Sequence, residues 1–456
     1  MAEQIPEHVD VVVVGLGVGG EEVAGRLAQA GLKVAGLDHG LVGGECPYWG
    51  CVPSKMMIRA ANLIAETRRV DGMAGTASVT PDWTPVAKRI REEATDSWDD
   101  KVAVDRLVGK GVVFARESGR LTGPRTVAAG DTEYEARKGI VIATGTVPSI
   151  PPIDGLQETP YWTNREAIET ETLPASLVLL GGGAIGLELA QVFARFGVTV
   201  TVVEAIERVL AMEEPESSDL AQQALERDGI TFEVGARAEH VSHDGKEFTV
   251  TLGSGATVTG EKLLVATGRR VDTARLGLDS AGLDPSARSI GTDERMRAGD
   301  GLWAVGDVTG HGAFTHMAMY EANIAVHDIL GTEDAPVADY RAVPRVTFTD
   351  PEIGAVGMTE QQARDAGLDI RTGTAQIPSS TRGWIHKAGN DGFIKLVVDS
   401  GRDVLVGATS AGPTGGEVLG ALAVAVKAEV PLATLRETIY AYPTFHRALG
   451  DALREV

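Results

Sequence analysis

The chain has 456 residues, with 42 basic against 64 acidic side chains for a formal net charge of −22, 43% hydrophobic residues and only two cysteines. That acidity excludes nucleic acid and an anionic membrane as the main partner, because both recruit basic surfaces, and the length suggests two to four domains. The opening MAEQIPEHVD lacks the basic start and apolar run of a secretory signal, and no stretch reaches the ~18 apolar residues of a membrane span. The expectation is therefore a cytoplasmic protein whose close pair of cysteines is redox-active or metal-binding rather than a structural staple.

The first element is VDVVVV at 9–14, an unbroken apolar run that reads as a buried parallel strand. Gly15, Gly17 and Gly20 follow, then a helical pattern with Ala24 and Gly31, then a second strand ending on Asp38. Next come Cys46 and Cys51 in GGECPYWGCVPSK, leading into the helical SKMMIRAANLIAETRR. Cysteines at a helix start face a dipole that stabilises the thiolate and lowers its pKa. With both cysteines inside six residues, a redox pair is the leading reading. Two structural thiols that happen to be neighbours is the alternative, and zinc fits poorly because no third cysteine exists. IVIATG at 140–145 is a strand ending on Gly145, and Pro148, Pro151 and Pro152 read as a linker.

LVLL at 177–180 then opens a second copy of the first motif. Gly181, Gly183, Gly186, Ala190, Gly197 and Glu204 match Gly15, Gly17, Gly20, Ala24, Gly31 and Asp38 at one offset of 166. Each copy is a βαβ unit with a physical reason for its spacing. The first glycine permits a tight turn, the second lets backbone approach a pyrophosphate, and the third lets helix pack on strand, with the helix N-terminus facing the phosphates. The closing acid accepts a hydrogen bond from an adenosine ribose hydroxyl. Two dinucleotide sites imply two dinucleotides, and a flavin (FAD) with a nicotinamide is the pair suited to hydride transfer. Glu204 suits the free 2′-hydroxyl of NAD and repels a 2′-phosphate; Arg208 nearby keeps NADP possible. LLVATG at 263–268 ends on Gly268 as IVIATG ends on Gly145, and LWAVGD at 302–307 ends on Asp307. From about Tyr340 the strands VPRVTFT, FIKLVVD and VLVGATSA, with the helical GGEVLGALAVAVKA, read as a separate α+β domain.

Residues 41–55 resemble the active-site segment of the flavoprotein disulfide reductases, GGTCxNxGCxPSK, the group that includes dihydrolipoamide dehydrogenase, glutathione reductase and mercuric reductase. VGD at 305–307 is similar to the family's second flavin motif, FTHMA at 314–318 to the segment lining the isoalloxazine, and 343–360 to the opening of the interface domain. The resemblance implies an α/β fold of two Rossmann-like dinucleotide-binding domains plus a C-terminal α+β interface domain: FAD-binding at 1–150 and 271–335, NAD(P)-binding at 151–270, interface and dimerisation at 336–456. It implies a homodimer that oxidises NADH through FAD and a Cys46–Cys51 disulfide toward a small-molecule acceptor, without a metal. Cys51 would be the flavin-facing thiol and Cys46 the interchange thiol. Lys55 would pair with Glu188 beside the flavin. FAD would lie on Gly15, Gly17, Gly20, Asp38, Lys55, Gly145, Asp307, Thr315, His316 and Ala318, and NAD on Gly181, Gly183, Gly186, Glu204 and Gly268.

One motif departs from the family. The His-Pro-Thr-x-x-Glu segment, whose histidine is general acid and base for the interchange thiol, reads AYPTFHRAL at 441–449. Tyr442 takes the histidine position and Arg447 the glutamate position. Such a dyad is worth ~10² to 10⁴ in rate, and tyrosine is a poor base. His446 is a candidate substitute, one turn further on if Pro443 opens a helix. Pro47, Tyr48 and Trp49 between the cysteines either pack the flavin domain or shape a flat apolar acceptor site. The leading expectation is reduction of a small disulfide, dihydrolipoamide dehydrogenase-like. Reduction of quinones, dyes or metal ions, without the terminal cysteines of mercuric reductases, is the alternative, and a redox-sensing flavoprotein with vestigial activity a third.

Overall fold

The computed structural model describes residues 7–456 and divides into two compact units. The first comprises residues up to 53, 89–149 and 269–340; the second comprises 54–88, 150–268 and 341–456.

In the first unit the strand Glu7–Val14 lies between two parallel neighbours, Val34–Leu37 and Thr132–Ile142. The sheet continues to Val113–Ala115 on one side and to Leu302–Ala304 and Arg297–Gly299 on the other. A parallel central strand must be apolar on both faces, and the alternation serves both. Val11 and Val13 pack with Val23, Ala24 and Leu27 of the helix Val18–Gln29 and with Ala322 and Ala325 of the helix Thr315–Leu330. Val12 and Val14 face Leu121 and Val127 of an antiparallel ribbon and Leu278 and Ile290 beyond it. The strands of the two Ala-Thr-Gly stretches stop at Ile142 and Val265, so both tripeptides lie in irregular backbone. Pro148 is not in a loose linker: Val147–Pro148 pairs antiparallel with Arg269–Arg270.

The second unit contains a four-stranded parallel sheet in the order Thr231–Val234, Thr199–Glu204, Ser176–Leu180, Lys262–Val265. It also holds a three-stranded antiparallel sheet spanning Ala238–Gly260 and a five-stranded antiparallel sheet ordered 344–347, 352–357, 404–412, 393–399, 370–376. The helix Gly415–Lys427 covers the last of these, setting Val418, Leu419, Leu422 and Val426 against Ile394, Leu396, Leu405 and Ala408. The helix Cys51–Arg68 begins in the first unit and continues in the second. Among the described residues no helix is long and apolar enough to cross a membrane.

Candidate active site and nucleotide cradles

The internal repeat extends to individual hydrogen bonds. Leu16 N donates to Asp38 Oδ2 at 2.6 Å and Gly40 N to Oδ1 at 2.7 Å. At the same offset of 166, Gly182 N donates to Glu204 Oε2 at 2.6 Å and Ile206 N to Oε1 at 3.0 Å. Each acid therefore holds its own glycine loop, and a carboxylate's remaining lone pairs still suit a ribose hydroxyl. Gly15 and Gly181 have φ of +92° and +106°, and a Cβ on either would sit 2.5 Å from a carbonyl oxygen, that of Ala143 or of Ala266. The third glycines are equally confined: a Cβ on Gly20 or Gly186 would strike the carbonyl of Gly15 or Gly181.

The second glycines behave oppositely. A Cβ on Gly183 would meet nothing within 4 Å, and one on Gly17 only Gly44 Cα at 4.0 Å. Gly145 and Gly268 are likewise open. Both glycine loops feed 12-residue helices that have no side-chain cap, which leaves first-turn N–H groups for phosphate oxygens. These cradles fit a bound dinucleotide in each copy.

The cysteine segment is seated on the first cradle. Gly43 N donates to Leu16 O at 2.7 Å, Gly44 packs on Gly17, and Val42 N donates to the buried Asp100 carboxylate at 2.6 Å. Glu45–Tyr48 forms a short helical turn, and Cys51 starts the helix Cys51–Arg68. The pair stands as a dithiol, Cys46 half-buried and Cys51 exposed, with Thr315 Oγ1 3.3 Å from Cys51 Sγ. The expected lowering of both thiol pKa values is corrected for Cys46. Its hydrogen bond with Cys51, then burial, push its pKa well up, and Thr315 only partly opposes this. Tyr48 is buried and packs near Trp49, ring centroids 5.8 Å apart, so Tyr48 is a packing residue of this unit.

Asp307 Oδ2 accepts from Thr146 Oγ1 at 2.7 Å; Thr146 in turn accepts from Arg269 Nε at 2.8 Å, and Arg269 lies 3.8 Å from Glu45, next to Cys46. The buried Glu321 accepts from Gly306 N at 2.7 Å and Tyr340 Oη at 3.0 Å, which fixes the turn before Asp307. Ala318 is buried against Gly19 and Gly306, and His316 stacks on Phe314 with centroids 5.2 Å apart. Thr146, Arg269, Glu321 and Asp100 were missed in the sequence because nothing local marks them; only the fold brings them to these motifs.

In the second unit Lys55 Nζ lies 2.8 Å from Glu188 Oε2, and Glu188 Oε1 accepts from Phe348 N at 2.8 Å. The Lys55 ammonium also stands 4.6 Å from the centroid of the Phe348 ring, a cation–π contact. Phe348 is a further partner that the sequence did not announce. Pro443 does not open a helix: it follows a cis peptide, and the helix there is Arg447–Ala452 with His446 as its N-cap. Tyr442 is 70% exposed, its hydroxyl 3.4 Å from Thr381 Oγ1, and Arg447 faces Asp451 at 3.4 Å.

Residues 9–322 match the profile of the pyridine nucleotide-disulphide oxidoreductases, and residues 343–453 match that family's dimerisation domain. The chain belongs to this family of FAD- and pyridine-nucleotide-dependent enzymes. It is 33% identical to a dihydrolipoyl dehydrogenase of Chlorobaculum tepidum over 99% of this chain and 97% of the relative, and 32% identical to a mercuric reductase of Bacillus cereus over 97% and 71%. Among solved structures it is similar to the Cu(II) complex of the HOCl-induced flavoprotein disulfide reductase RclA from Escherichia coli, with TM-score 0.86, 27% identity and coverage of 98% and 100%. LpdA from Mycobacterium tuberculosis superposes with TM-score 0.85 at 26% identity, covering 98% of this chain and 99% of that one. The chain is thus a dihydrolipoyl dehydrogenase-like disulfide oxidoreductase, and its dimerisation domain supports a homodimer.

Proposed function

We propose that this enzyme oxidises NADH and reduces a small disulfide through Cys46 and Cys51. The observation that carries the reading is the dithiol itself, seated on the first glycine cradle and touched by Thr315 of the second flavin segment. The first cradle, with Asp38, Gly145 and Asp307, would hold FAD, and the second, with Glu204 and Gly268, the nicotinamide nucleotide. Bound there, FAD would supply two-electron redox chemistry between the reduced nicotinamide and the cysteine pair. Lys55, held in place by Glu188 and Phe348, contributes a fixed positive charge in this chemistry. Cys46 attacks one sulfur of the acceptor disulfide to give a mixed disulfide and one thiol. Cys51 then displaces the second thiol and closes the Cys46–Cys51 bridge, the two cysteine protons leaving on the products.

NAD is favoured over NADP on two grounds. Glu204 is a carboxylate held at the ribose end of its loop. Arg208 is committed elsewhere: Nη1 donates to Ser218 Oγ at 2.5 Å, and Nη2 to Ala211 O and Glu213 O at 2.8 and 3.0 Å. An arginine so bound is poorly placed to receive a 2′-phosphate.

A second reading rests on Tyr442 and Arg447, which supply no imidazole–carboxylate relay. Transfer to quinones, dyes or metal ions needs no such relay. Anaerobic NADH titration followed by turnover with lipoamide, a benzoquinone and Hg(II) separates the two. The expected result is lipoamide turnover in the native enzyme that Cys46→Ser abolishes while quinone turnover survives. Lipoamide turnover that persists in Cys46→Ser overturns the dithiol route, and turnover confined to quinone or metal ion favours the second reading.

A further inference from the structure

The dimerisation domain carries a cavity of about 80 Å³ beside Tyr442 that the chemistry above does not use. A water needs roughly 10–15 Å³ of such space, so the cavity takes a group of several atoms and not a nucleotide. Its wall includes Thr381, Arg382, Tyr442, Arg447 and Asp451. Asp451 is its one acid, and it already faces Arg447 at 3.4 Å and is bonded to Arg454.

Arg382 is the unusual member. Among the described residues no carboxylate pairs with its guanidinium, in a chain carrying 64 acids. It lies instead over the buried ring of Phe445, 5.5 Å from the centroid, and His386 stands edge-on to that ring at 5.6 Å. The guanidinium is therefore braced by stacking, while among the described residues of the single chain its donors meet no carboxylate. Among the described residues the Tyr442 and Thr381 hydroxyls have only each other, at a long 3.4 Å. Two cations and two underused hydroxyls against one spent acid make a donor-rich pocket, and fork-shaped donors match planar or tetrahedral oxyanions.

We propose that this pocket is an oxyanion site, built for a carboxylate, phosphate or sulfate group. That chemistry has two sources: a free anion, or the acidic end of the electron acceptor. Calorimetry of the FAD-loaded enzyme with phosphate, sulfate and acetate, at ionic strength held constant with chloride, tests the site directly. One saturable site per chain is expected, weakened tenfold or more in Arg382→Gln and less in Thr381→Val, which guards against a folding defect in the first variant. No saturable binding, or equal affinity in Arg382→Gln, overturns the proposal. The second arm rests on the disulfide reading above and compares kcat/KM for lipoate, a carboxylate, with neutral lipoamide. A lipoate-to-lipoamide ratio that falls in Arg382→Gln assigns the site to the acceptor, and an unchanged ratio with weakened anion binding assigns it to a free anion. If neither disulfide is turned over, the disulfide reading fails while the calorimetry still decides the site.

Discussion

Cys46 sets the pH dependence at the scale of single residues. Its thiol is raised by its hydrogen bond to Cys51 and by burial, so at neutral pH it is mostly protonated. The thiolate fraction of such a group grows roughly tenfold per pH unit until its own pKa is reached. Alkylation of Cys46, followed by peptide mass spectrometry on the dithionite-reduced enzyme, is expected to accelerate steadily from pH 6 to 9; a plateau below pH 8 contradicts the raised pKa. At the second cradle, Glu204→Ala removes a loop anchor together with the proposed ribose acceptor. KM for NADH should rise several-fold with no gain for NADPH, because Arg208 remains bonded to Ser218, Ala211 and Glu213. Efficient NADPH oxidation by that variant would show that Arg208 is available after all.

Each element makes use of what its residues permit, and the glycine loops show this most sharply. Gly183→Ala adds a methyl to open space, whereas Gly186→Ala drives one into the Gly181 carbonyl at 2.4 Å. The first is expected to leave the melting temperature nearly unchanged and to weaken NADH binding. The second should cost ~1 to 3 kcal/mol of stability, as overpacking does. Equal melting temperatures for the two variants would refute the assignment of cradle and packing glycine. The helix Ala184–Arg195 also ends in a buried ion cluster: Arg195, 1% exposed, reaches Asp228 at 2.9 Å, Asn62 at 2.6 Å and Asp350 at 2.7 Å. Burial alone would raise the Asp350 carboxyl, but Arg195 and Arg69 hold it below the usual carboxylate range. A lowered folded pKa gives stability that is present above the unfolded value of roughly 3.9 and is lost as pH falls through the folded one. Arg195→Ala removes one cation shared by two half-buried acids, leaving Asp350 to Arg69 and Asp228 to Gln191, and should cost about 1.5 to 3 kcal/mol by urea unfolding at pH 7, with a smaller deficit at pH 3.

The formal charge of −22 acts on the whole molecule. Like-charge repulsion slows the approach of anionic NADH and is screened within roughly 10 Å at 0.1 M salt. Raising salt from 20 to 200 mM should increase kcat/KM for NADH while leaving that for neutral lipoamide nearly flat; a fall for NADH would locate a basic funnel that the overall charge conceals. The dimerisation domain exposes Ile439 at 97% and Trp384 at 73% in the isolated chain, apolar surface of the kind that a partner covers. Light scattering of Ile439→Asp should show a shift toward monomer at low protein concentration.

Much of this was legible in the chain itself. The 166-residue repeat, the two βαβ units, the cysteine pair and the altered C-terminal motif are local patterns, set by backbone geometry at glycine and by apolar periodicity, so the sequence alone determined the fold class and singled out the cysteine pair. Tertiary structure alone decided which residues support them. The ties from Asp100 to Val42, Glu321 to Gly306, Arg269 to Thr146 and Phe348 to Glu188 join positions 15 to 160 residues apart. No spacing rule marks such pairs, because side-chain hydrogen bonds form wherever folding brings a donor to an acceptor. The same holds for Arg382, whose lack of a carboxylate partner among the described residues is a property of its surroundings and not of the letters beside it.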